Sequence, residues 1–84
     1  MKFYGNNDVQ SIRIRIASQP ISYMGAVIMQ AGLVQKDGKM VCYIELENGS
    51  QEIADKLILL MEIHHTLPVK IGPNGTLEID ELQL

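Results

Sequence analysis

The chain contains no tryptophan, a single cysteine (Cys42) and only four aromatic residues: Phe3, Tyr4, Tyr23 and Tyr43. Each shortage closes a route. One thiol excludes an internal disulfide, although domains of this size commonly lean on disulfides, metal or oligomerisation for stability. With so few aromatics, the core has to be assembled from Ile, Leu, Val and Met. Positive charge is also scarce: seven Lys+Arg stand against ten Asp+Glu, a net charge of −3. That balance argues against nucleic acid as a partner, because binding backbone phosphates needs a basic field. Long apolar runs are missing as well. The longest, Met40 to Ile44 and Leu57 to Met61, are far too short to span a bilayer, so no membrane partner is expected. The amino-terminal residues carry no apolar signal segment. A soluble chain in the reducing cytoplasm is the resulting expectation.

What is present is 84 residues of which 46% are apolar, enough for a single domain over residues 1–84. The clearest element is a helix over Ser50 to Thr66. Asn48-Gly49-Ser50 supplies capping chemistry before it, and Leu67-Pro68 ends it. Ile53, Leu57, Leu60, Met61 and His64 follow helical spacing. Ala54, Ile58, Leu59 and Ile63 widen the apolar stripe past half the circumference, which predicts burial on two sides.

Strands are read from register. Asp37-Gly38 lies between two apolar runs, a strong hairpin signal. A two-residue loop there pairs Gln35 with Met40, Leu33 with Cys42, Ala31 with Ile44 and Met29 with Leu46. On the other face Gly32 meets Tyr43, the arrangement in which an aromatic ring covers a strand glycine. Val9 to Ala17 alternates, with Ile12, Ile14 and Ile16 on one side and Arg13 and Arg15 on the other. A turn at Ala17 to Pro20 would set Ile16 against Ile21 and Ile14 against Tyr23. Pro73-Asn74-Gly75 predicts a last hairpin pairing Val69 with Ile79, Lys70 with Glu78 and Ile71 with Leu77. The expected class is α+β: an antiparallel three-stranded β-meander, one long helix and a C-terminal β-hairpin. The alternative makes residues 20–31 helical, capped by Ser18 and ended by Gly32, which gives a βαββαββ ferredoxin-like arrangement.

Chemistry is thinly represented. No phosphate loop, dinucleotide fingerprint, nucleophile elbow or zinc spacing occurs, so no cofactor, metal or catalytic residue is assigned. Cys42 shares its face with Met40, Ile44 and Leu46 and is predicted to be buried and inert. His64 and His65 diverge by about 100° on an ideal helix and would not share an ion within one chain. His64 is expected instead as a hydrogen-bonded core residue.

Arg13 and Arg15 lie about 7 Å apart on one strand face. They would grip a small anionic ligand or nucleotide at a subunit interface, or else simply pair with Glu45 and Glu47. An outward apolar surface formed by Ile28, Val34, Val41 and Tyr43 of the sheet, with Leu59 and Ile63 of the helix, predicts an interface. The leading expectation is therefore a small non-enzymatic homo-oligomer, most simply a dimer. It would act on a further, unidentified protein as an adaptor or inhibitor, a class that includes compact inhibitors of the phage type.

Overall fold

The hairpin at Asp37-Gly38 organises the molecule. In the computed structural model, which describes residues 1–14 and 20–80, Asp37 and Gly38 both take positive φ (51° and 79°). That geometry matches the twist of the strands it joins. Those strands are Ala26–Lys36 (β3) and Lys39–Glu47 (β4), and from Lys36↔Lys39 back to Gln30↔Glu45 their register follows the sequence pattern. Tyr43 lies against Gly32 as expected: a Cβ on Gly32 would come within 3.2 Å of the ring.

Beyond Gln30 the pattern breaks. Ile28 pairs with Leu46, so Met29 is the extra residue of a β-bulge. A one-residue insertion swaps the faces of everything before it. Met29, expected inward against Leu46, is instead 49% exposed. Ile28, expected on the outer surface, lies in the core with Leu46. The rival helix over residues 20–31 is absent. The chain there forms a second tight hairpin, in which Ile21–Tyr23 (β2) pairs with the start of β3 through Met24 (φ 51°) and Gly25 (φ 83°).

The expected first strand of the meander is not found beside β2. Both edges of β2 are occupied, one by β3 and the other, in parallel, by Leu77–Ile79 (β6). The strand that precedes them in sequence is Lys2–Tyr4 (β1), which adds antiparallel to β4. Residues 9–14 run along the side of the fold. Val9 donates its N–H to Met40 O (2.8 Å), and Arg13 forms an isolated parallel bridge with Thr66. The alternation nonetheless survives as burial: Val9 is buried, Ile12 and Ile14 pack on the core, and Arg13 is exposed. Arg15, Ile16 and the proposed turn at 17–19 lie outside the described residues.

The helix, Gln51–His64 (α1), begins at Ser50, whose Oγ accepts from the Ile53 N–H (3.3 Å). It packs on β4 and β1 with Ala54, Leu57, Ile58, Leu60 and Met61 buried. The last hairpin joins Val69–Ile71 (β5) to β6 in the predicted register, and Gly75 supplies the positive φ of its three-residue loop. The sheet order is β1-β4-β3-β2-β6-β5. Among the described residues one helix lies on a six-stranded mixed sheet, which confirms the α+β class. The buried ones among them are all apolar, and because α1 lies over the β1–β4 end, Val69 and Ile71 at the far edge stay exposed. Among the described residues no helix is long and apolar enough to cross a membrane.

Candidate functional site

Two surface features and one buried group carry the chemistry that this fold displays. The first is where α1 ends. His65 adopts the left-handed conformation (φ 59°, ψ 23°) and donates its N–H to Met61 O at 2.9 Å. Such a conformation costs a non-glycine residue roughly 1–2 kcal/mol, and it is held by contacts from the 9–14 segment. The Arg13 N–H donates to His65 O (2.7 Å), and His65 Nδ1 lies 3.0 Å from Ser11 O. A carbonyl oxygen only accepts, so Nδ1 carries the hydrogen and the lone pair of the neutral ring sits on Nε2.

The left-handed turn removes His65 from the helical progression. Both imidazoles therefore border one cleft of about 390 Å³, together with Ser11, Ile12, Arg13 and Thr66. The divergence of about 100° expected for the two histidines assumed an unbroken helix; the helix ends at His64, and both residues line this one cleft. His64 also departs from the hydrogen-bonded core role expected of it. Its Nε2 is sealed from water without a partner, which for a polar group costs about 1–3 kcal/mol. Arg13 does not pair with Glu45 or Glu47; among the described residues its side chain has no partner. Arg13 thus lines the same cleft as the two histidines with no counter-charge among the described residues. Among the described residues no three His, Cys, Asp or Glu side chains gather as metal ligands.

The second feature is the outer side of α1. Leu59 and Ile63 stand one helical turn apart and are 48% and 56% exposed. Leu59 also borders a smaller cleft of about 250 Å³ with Gly5, Asn7, Asp55 and Glu62. The sheet half of the expected interface is not available in the same way. Ile28 is in the core, Val41 is only 2% exposed, and Val34 is half-buried. Tyr43 is occupied within the chain: its hydroxyl donates to Gln30 Oε1 (3.2 Å) and its ring packs beside Tyr4, over which Lys36 Nζ sits at 4.7 Å.

The buried group is Cys42. It is fully enclosed, and burial, with the negative charge of Glu62 adding to it, pushes its thiol up to about 11. A thiol in that state is a poor nucleophile at neutral pH. Glu62 itself accepts from Asn7 Nδ2 (3.2 Å) through Oε1, while Oε2 is buried without a partner. Gly5 makes room for it, since a Cβ there would lie 3.0 Å from Oε2.

Sequence reasoning singled out Arg13, His64 and His65 but not their neighbours Ser11 and Thr66. No local pattern marks them, because they meet only where the 9–14 segment crosses the end of the helix. Compared with protein-family models, curated proteins and solved structures, the chain matches none of them.

Proposed function

We propose that this chain is a small non-enzymatic interaction module that self-associates and acts on another protein as an adaptor or inhibitor. In this reading the outer stripe of α1 is the contact. The observation that carries it is the pair Leu59 and Ile63, half exposed on successive turns of a helix whose other side is fully packed. A solvated helix face is ordinarily polar. The enclosed Cys42 thiol offers no nucleophile, which favours binding over catalysis.

The magnitudes set how tight self-association would be. Burying the exposed half of each side chain contributes about 1 kcal/mol, so four of them across a twofold seam contribute about 4 kcal/mol. Association costs about 4–15 kcal/mol. Leu59 and Ile63 alone therefore offset at most the lowest association cost, and a dimer in the micromolar range draws on further contacts around the stripe. Sedimentation equilibrium from tens to hundreds of micromolar should show mass rising above 9.4 kDa, with Leu59→Glu and Ile63→Glu abolishing the rise while leaving the thermal melt of the monomer intact. A 9.4 kDa species at every concentration would remove self-association from the reading.

A further inference from the structure

We propose that the cleft at the end of α1 is an oxyanion site, binding the phosphate or carboxylate group of a small ligand through Arg13, His64 and His65. This goes beyond the interaction reading and stands independently of it. Four observations converge on the same cleft. Arg13 presents a guanidinium whose charge no described residue neutralises, and guanidinium is the side chain best matched to two oxygens of a carboxylate or phosphate. His64 has an imidazole nitrogen sealed without a hydrogen bond, and a ligand oxygen reached by rotation of the ring supplies one. His65 is held in place by its Nδ1–H on Ser11 O, so its Nε2 accepts from a hydroxyl of the ligand, such as that of a monoprotonated phosphate, and donates to an oxyanion only with the ring protonated. The hydroxyls of Ser11 and Thr66 border the same space, whose 390 Å³ accommodates a small ligand.

One term opposes the site. The carbonyl end of a helix carries a partial negative charge of about half an electron. Here two of the carbonyls nearest the cleft are already engaged, Met61 O by the His65 N–H and His65 O by the Arg13 N–H. A full positive charge on Arg13 outweighs what remains. A cation is the competing occupant, since two imidazoles are the start of a metal site. Arg13 repels it, and no third protein ligand stands nearby among the described residues.

The experiment is a titration of the ¹⁵N-labelled protein with inorganic phosphate, and separately with acetate, at constant ionic strength made up with chloride. A zinc titration runs in parallel. Saturable shifts confined to the amides of residues 11–13 and 64–66 and to the two imidazoles are expected. Phosphate binding well ahead of acetate identifies a phosphate site, and the reverse a carboxylate site. Arg13→Gln, an exposed position that leaves the core untouched, should weaken binding at least about tenfold, the loss of a charge-assisted contact. His64→Gln should weaken it less. Absence of saturation by either anion, unchanged binding in Arg13→Gln, or tight zinc binding with no anion response would each overturn the proposal.

Discussion

Alkaline pH should destabilise this protein through one group, Cys42. The thiol is fully enclosed, and its proton affinity rises from an ordinary 9.0 to about 11, first because burial disfavours the thiolate and second because Glu62 is nearby. The folded state therefore holds the proton more tightly than the unfolded state does. The resulting stabilisation is complete below pH 9.0 and is lost as the pH climbs through about 11. At 1.36 kcal/mol for each tenfold change in proton affinity, the loss amounts to about 2–3 kcal/mol. A chain of this length is stable by roughly 4–13 kcal/mol, so the effect is large. A matched control separates the thiol from the rest of the chain. Cys42→Val keeps the site apolar and close in volume, at a cost of less than about 1.5 kcal/mol. Urea melts of both proteins across the alkaline range isolate the thiol: their difference should move by about 2–3 kcal/mol in favour of the valine form. The ultraviolet absorption of the native thiolate should appear only near the upper end. Parallel stability curves, or thiolate forming in the native protein near 9.0, would refute the reasoning.

Two further substitutions probe the backbone. The bulge makes neighbouring residues opposites, so Ile28→Lys should cost at least about 3 kcal/mol in a denaturant melt while Met29→Lys stays within about 0.5 kcal/mol; a reversed order would restore the unbroken register. In the β2–β3 turn, Gly25 sits at φ +83° with nothing near its missing Cβ. Gly25→Val should therefore lose about 1–2 kcal/mol of thermal stability from backbone strain alone, and Gly25→Asn less; equal losses would point to a packing cause.

Much of the local structure was legible. The capped helix, the Asp37-Gly38 hairpin and the register of Val69 to Ile79 each depend on residues a few positions apart. Their signals are turn chemistry, capping and period. Cys42 was read as buried because its parity within β4 is fixed by the adjacent turn. The Met24-Gly25 turn was missed, although a glycine in the second position was its signal, because the apolar run passes straight through it. The bulge at Met29 left no mark either: a methionine serves equally well inside or outside a strand, and only the pairing of Ile28 with Leu46 reveals which it does.

By itself, then, the sequence determined the kinds of element, most of their ends, and which side of residues 9–14 turns inward. Tertiary structure alone decided who neighbours whom. The alternation of Ile12 and Ile14 around Arg13 specifies a buried face but not the surface that buries it, and β2, expected to receive that segment, had its second edge filled by β6 from the far end of the chain. The cleft is a consequence of the same choice. With residues 9–14 displaced to the end of α1, Arg13 meets Thr66, Ser11 O meets His65, and a left-handed turn brings two histidines to one side. Periodicity cannot encode that meeting, because it records distance from the core and not identity of partner.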